Sequence, residues 1–440
     1  MAQDDNEFEG LASIEWQRDK PGLVWSWWLS RAKADGPGLR RWQSWIWWKG
    51  LKGPQQQLGA LILLIRGFIE APYEVWAGVR RFGHKTERVH KVPRFTQYFQ
   101  SLTLRWRHGI RPEHYYQFQL FKPERSALAQ HFIRTIGPML QVIHRHSPRE
   151  KDELIFLDKT AFRKWCTQKN IPTIDSLMEI DRGKVVSLTH DHLPPSDLII
   201  KPSNSKQGRG ISRLQCNAKP TSHYYTDASG AVLTPLAVKE FVCRKSLEQQ
   251  RPYIVQIALE NHNRLRNLTN GALATVRLMT IRDLTTPARP LMAALRMPTG
   301  DSVVDNFDSG GIAAPINLET GVCGPGIQKK GSLPPDLMHT HPDTKSDILG
   351  FEVPCWFECL SIACLAHDLV DTQIPVVGWD VAILDHGPIL VEANHIPCDK
   401  LAQMPGGLPL AQTPLAEIIS KQLRASFIPE YDQNPHPSRT

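Results

Sequence analysis

VVGWDVAILDHGPILVEANHIP, residues 376–397, consists of two apolar segments on either side of a turn at residues 385–388. Apolar, β-branched runs around such a turn predict a β-hairpin. Glu392 and Asn394 lie two apart, so in a strand they share one face. Asp380 precedes Glu392 by twelve residues. With a three-residue hairpin loop, Asp380 stands opposite Glu392 on that same face. Three oxygen-bearing side chains then gather in an otherwise apolar hairpin. Carboxylates buried without a cation are costly, and a hard ion such as Mg²⁺, which takes one or two carboxylates and then phosphate oxygens, answers that cost. The alternative is structural, with Asp380 capping a turn and Glu392 pairing with an arginine.

Working outward, residues 198–216 read LIIKPSNSKQGRGISRLQC. A strand runs into Lys201, followed by a loop with Gly208 and Gly210 and an apolar strand from Ile211. A strand–loop–strand is neither a Walker loop nor a Rossmann turn, both of which open a helix. Glycines still let backbone N–H groups approach phosphate oxygens, and Lys201, Lys206 and Arg209 supply positive charge. The plain alternative is a solvated basic turn. Between the two segments, residues 274–316 carry Arg277 and Arg296 on two strands, then Asp305, Asn306 and the pair Gly310 and Gly311. Such arginines are suited to clamp a phosphate or a developing oxyanion, or else lie at the surface. Residues 198–201, 237–242, 253–258, 275–281, 291–295, 375–384 and 389–392 all read as strands, and 159–169 and 352–369 as helices.

The order of these features resembles the ATP-grasp superfamily of carboxylate–amine ligases, most of all the sugar-transfer-associated, or alpha-L-glutamate ligase-related, branch. The series is Lys159, Lys201 with its glycine loop, Gln256, Arg277, Arg296, Asn306 with the glycine pair, and Asp380 with Glu392 and Asn394. The resemblance spans roughly residues 115–409. It implies an α+β fold whose two subdomains clasp ATP. Lys159 and Lys201 then hold the α- and β-phosphates, and Gly208 and Gly210 belong to the loop that closes over them. Residues 253–259, with Gln256, form the hinge that reads adenine, and Glu260 is a ribose ligand. Asp380, Glu392 and Asn394 are magnesium ligands. Arg277 and Arg296 face the γ-phosphate and the acyl-phosphate, with Asn306 assisting. The implied partners are a small-molecule carboxylate and an amine, joined through an acyl-phosphate in cell-surface polysaccharide or related biosynthesis. A small-molecule kinase on the same fold is the alternative, as is a non-catalytic membrane-peripheral protein with a degenerate nucleotide site.

The charge map agrees with this division. The 440 residues carry net +8, yet residues 51–150 hold 16 basic against 6 acidic side chains, while residues 151–440 hold 29 against 31. Nucleic acid is therefore not expected as a partner. Residues 1–120 read as a helical, basic region with eight of the thirteen tryptophans in its first 48 positions. Leu58, Leu61, Ile62, Ile65, Phe68 and Ile69 form one apolar stripe at helical spacing. Two readings compete, a helical domain packed on the rest of the protein or an interfacial amphipathic region on anionic lipid at the inner face of the membrane, with docking to a biosynthetic partner as a third. Residues 121–425 form the ATP-grasp domain, and 426–440 a disordered tail. Eight cysteines without a CxxC pair read as reduced, buried thiols of a cytoplasmic protein. The spacing of Cys355, Cys359, Cys364 and His367 fits an amphipathic helix better than a metal site. No secretory signal is read at the acidic N-terminus, and no apolar run approaches the ~20 residues needed to span a bilayer.

Overall fold

The computed structural model describes residues 53–146, 151–189, 193–204, 210–219, 222–283, 285–300, 310–329, 333–370 and 374–427, with Leu39, Trp42, Ile46, Leu51, Ser302, Asp305 and Phe307. The rest of the Trp-rich N-terminus, residues 428–440 of the proposed 426–440 tail, Lys206, Gly208, Arg209 and Asn306 lie outside these residues, whereas residues 426 and 427 close helix Pro414–Phe427. The fold is α+β with a helical N-terminal region. It divides into two compact units, one of Met1–Pro148, Gly331–Asp336 and Ile396–Thr440, the other of Arg149–Lys330 and Leu337–His395.

In the first unit, helix Gly53–His90 packs Ala71, Val75 and Val79 against Leu102 of helix Arg94–His108. The second helix stops at Gly109, whose φ of 62° supplies the left-handed cap. The helical stripe expected from residue 58 does form, but Leu58, Ile62 and Ile69 are exposed and are not part of that packing. Residues 123–146 form short helices, Pro123–Ala127, a turn at Ala129–His131 and Gly137–His146, rather than one, because Pro123 and Pro138 fit only the first turn of a helix.

The second unit holds two antiparallel sheets. The first contains β1 (Met178–Asp181), β2 (Lys184–Leu188), β3 (Leu198–Pro202), β4 (Ser212–Lys219), β5 (Ser222–Thr226), β6 (Val232–Leu233) and β7 (Tyr253–Ile257), in the order β2-β1-β7-β3-β4-β5-β6. Its core joins Leu198, Ile200, Leu214, Tyr225 and Val255 to Val238 and Val242 of helix Pro235–Gln249. Residues 237–242, read above as a strand, belong to this helix. Thr234 caps it by accepting from the Ala237 N–H at 3.2 Å, and Pro235 occupies its first turn.

The second sheet contains β8 (Thr275–Ile281), β9 (Arg289–Met297), β10 (Ile312–Ile316), β11 (Ile327–Gln328), β12 (Val376–Leu384) and β13 (Gly387–Asn394), in the order β11-β10-β9-β8-β12-β13. Alternation along β8, β9 and β12 sends Val276, Leu278, Leu295, Trp379 and Val381 into one core with Cys359, Ala363 and Ala366 of helix Trp356–Leu369. The opposite face is left to Arg277, Arg296 and Asp380. His367 of that helix is fully buried, its Nδ1 2.8 Å from Thr280 Oγ1 and its Nε2 3.0 Å from the Ile374 carbonyl oxygen. It is thus a hydrogen-bonded core histidine.

Candidate functional site

The hairpin pairs Asp380 with Glu392 and Gly378 with Asn394. Its closing pair is Leu384 with Gly387, so the connection is two residues long, one shorter than read from the sequence. A bulge at Val391 restores the register, since Val381 pairs with Leu390 and Asp380 with Glu392. Asp380 also faces Arg277 across β8.

Four charges interlock on this face. Arg277 donates from Nε to Asp380 Oδ1 at 2.5 Å and from Nη2 to Oδ2 at 3.1 Å. Arg296 Nη1 donates to both Asp380 oxygens at 3.1 and 3.0 Å, and its Nη2 to Asp305 Oδ1 at 2.5 Å. Thr275 donates to the other Asp305 oxygen. Burial alone would raise the Asp380 carboxyl, but the guanidinium groups of Arg277 and Arg296 outweigh it and hold the group below the usual carboxylate range. Burial pushes Asp305 up, against the pull of Arg296. Burial also opposes the charge on Arg296, yet Asp305 and Asp380 leave that guanidinium more firmly protonated than usual. The quartet is therefore satisfied internally, which buried charges require. Expected against a ligand and a metal respectively, these arginines and Asp380 instead hold one another.

Lys201 ends β3, and Lys159 begins helix Lys159–Gln168. Asp158 and Ser203, neither of them a site residue in the sequence reading, bring them together. Asp158 caps the helix by accepting from the Ala161 N–H at 2.9 Å, and its other oxygen accepts from Ser203 Oγ at 2.5 Å. The Lys159 N–H donates to the Ser203 carbonyl at 3.0 Å. An N-cap Asp directly before a lysine was the available signal. The Lys201 side chain is buried and makes no hydrogen bond or ion pair among the described residues. Burial first, then the charge of Lys159, lowers its pKa to about 8, while Glu392 pulls the other way. Lys201 of the first sheet and Glu392 of the second thus act on each other electrostatically.

Gln256, on β7, is buried and pairs with Ile199 of β3. Gly210 has φ +80°, and a Cβ there would sit 3.1 Å from Pro202 Cγ, so both conformation and space favour glycine. Glu260 is 82% exposed and lies 3.4 Å from Arg266.

Among the described residues, no three His, Cys, Asp or Glu side chains are grouped as a metal site. A carboxylate with an amide is nonetheless present. The Glu392 carboxylate forms no hydrogen bond or ion pair among the described residues, and the Asn394 side-chain amide nitrogen is buried with no partner among them. An amide that nothing fixes can turn its oxygen the same way. Glu392 and Asn394 therefore fit magnesium, whose remaining positions phosphate oxygens would fill. Both oxygens of Asp380 already accept from guanidinium groups, so it fits less directly.

The family model described as sugar-transfer associated ATP-grasp matches residues 141–418. The chain belongs to that family. This ATP-grasp chain is also similar in structure to D-cycloserine synthetase, at 13% identity and TM-score 0.33 over 71% of this chain and 82% of that one. A D-alanine–D-alanine ligase from Bacillus anthracis complexed with ATP matches at 13% identity and TM-score 0.33, over 62% and 67% of the two chains. One from Helicobacter pylori matches at 11% and 0.37, over 65% and 68%. No curated protein matches the ATP-grasp chain.

Proposed function

We propose that the second unit binds ATP and uses it to join a carboxylate to an amine. The observation that carries this reading is Lys201, a buried ammonium group with no ion-pair partner among the described residues. Such a group is costly unless an anion meets it, and a nucleotide phosphate is the anion that the adjoining Lys159 and the β3–β4 loop would also hold. Gly210, and Gly208 with it, would let that loop close on the phosphates, while Gln256 and Glu260 would serve the adenosine end. Magnesium on Glu392 and Asn394, beside Asp380, would supply positive charge to the phosphate oxygens.

The chemistry has two steps. A substrate carboxylate oxygen attacks the γ-phosphorus, giving an acyl-phosphate and ADP. An amine nitrogen then attacks the acyl carbon, the C–O bond to phosphate breaks, and inorganic phosphate and one amine proton leave. Arg277 keeps its Nη1 uncommitted among the described residues while Asp380 fixes its other donors. It is therefore a preorganised donor for charge developing on the transferred phosphoryl group. Arg296, committed to Asp305 and Asp380, would orient that arrangement, with Asn306 assisting. The family description supports a sugar-linked compound among the substrates. ATP dependence supports a cytoplasmic location. The test is ADP release by the purified chain across amino acids and sugar acids, with and without amines. Release that requires both partners supports ligation. A stable phosphorylated product formed without amine would overturn it in favour of a kinase.

A further inference from the structure

Helix Gly53–His90 has a second apolar face. At 100° per residue, Leu58, Ile62, Ile65, Ile69, Tyr73 and Trp76 fall within an arc of roughly 80°, whose centre lies about 120° around the helix from that of the buried Ala71, Val75 and Val79. All six are exposed, Ile69 and Tyr73 to 70%. The stripe runs ~27 Å along the helix at 1.5 Å per residue. On helix Arg94–His108, Phe95 and Phe99, one turn apart, are exposed as well. No helix among the described residues is long and apolar enough to cross a membrane.

The charges beside the stripe say what meets it. The acidic residues of these two helices, Glu70, Glu74 and Glu87, each pair with an arginine, namely Arg66, Arg105 and Arg94. Arg80, Arg81, Arg88, Lys91 and Arg107 form no ion pair among the described residues. Arg80 lies over the ring of Trp76, 5.5 Å from its centroid, so an unneutralised cation adjoins the end of the apolar stripe. A second copy of the chain would bring the same cations together. An apolar, aromatic stripe bordered by uncompensated positive charge matches the headgroup layer of an anionic bilayer, where the stripe lies in the plane and the cations meet lipid phosphate and carboxylate.

We propose that the stripe from Leu58 to Trp76 docks this chain on anionic membrane surfaces, independently of the nucleotide site. The test is flotation of the full chain with vesicles of phosphatidylcholine containing 30% phosphatidylserine, against phosphatidylcholine alone. Binding to the anionic vesicles, weakened in 0.5 M salt, is expected. The I62E/I69E variant should bind at least ~10-fold more weakly, and R80E/R81E should lose a similar factor on anionic vesicles. These side chains are exposed, so circular dichroism should be unchanged. Absence of binding to anionic vesicles, or equal binding by both variants, overturns the proposal. A dimer that I62E/I69E converts to monomer, with no vesicle binding, overturns it in favour of a second copy.

Discussion

Asp380 faces Glu392 across the β12–β13 hairpin because Val391 is bulged out of the ladder between them. Counting from the closing pair Leu384–Gly387 without the bulge, Val391 would stand opposite Asp380, and Glu392 would turn to the other face. The two carboxylates nevertheless differ in environment. Asp380 is held by two guanidinium groups, while Glu392 is uncommitted among the described residues.

That difference separates two substitutions. Glu392→Ala removes no interaction the fold uses, so the melting temperature should change by no more than ~2 °C while magnesium-dependent ATP turnover falls at least ~100-fold. Asp380→Ala strands Arg277 and Arg296 and should destabilise the chain by about 3–5 kcal/mol. Thermal denaturation beside an ADP-release assay distinguishes the two. Full turnover by the Glu392 variant would show that the hairpin is structural.

Lys201 gives a pH signature. Its pKa falls from 10.5 to about 8 in the folded chain, whereas phosphate favours the charged form. ATP affinity should therefore weaken as pH rises above about 8, and Lys201→Met should bind weakly with a flat profile across that range. Between about pH 8 and 10.5 the unfolded chain holds the extra proton, so this lysine's contribution to stability should rise with pH there. Calorimetric titration of ATP from pH 7 to 9.5 checks the first expectation, and denaturation over the higher range checks the second.

His367 works at the acid end. Burial lowers its pKa to about 4 despite the hydrogen bond to Ile374. Below its ordinary value of 6.5 the unfolded chain takes up the proton first, so the stability this neutral ring contributes is lost as pH falls from 6.5 toward 4, by up to ~3 kcal/mol. His367→Gln should flatten the decline over this window. An equally steep loss in that variant would assign the acid sensitivity to other groups.

The Asp158–Ser203 link is expected to position Lys159 beside Lys201. Ser203→Ala leaves the helix cap in place and should raise KM for ATP with little change in kcat. Asp158→Ala should add ~1 kcal/mol of lost cap stability. Steady-state kinetics with thermal melts separate the two effects. A fall in kcat with KM unchanged in the Ser203 variant would remove the positioning role.

The hairpin was legible because alternation and turn residues are local signals, and Asp380 and Glu392 were correctly placed opposite each other. The route to that register was not legible: a three-residue loop and a two-residue loop with one bulge give the same count. Residues 237–242 were misread because Val238 and Val242 resemble strand residues, although Thr234 and Pro235 announce a helix start. The Arg277–Asp380–Arg296–Asp305 quartet joins strands far apart in sequence, and no spacing encodes which arginine reaches which carboxylate. Buried Lys201 could be singled out as a cation, but its unpaired state depends on packing around it.

β13 lies at the end of its sheet, and its outer side is partly occupied. Leu390 donates to the Pro172 carbonyl at 2.9 Å, and Thr173 Oγ1 donates to the Leu390 carbonyl at 2.8 Å. An uncovered edge strand is a template on which another chain can add. Residues 172–173 block that template over the middle of β13. The strand bearing Glu392 and Asn394 is thereby protected from intermolecular β-pairing, so loosening the 172–173 segment should show first as aggregation.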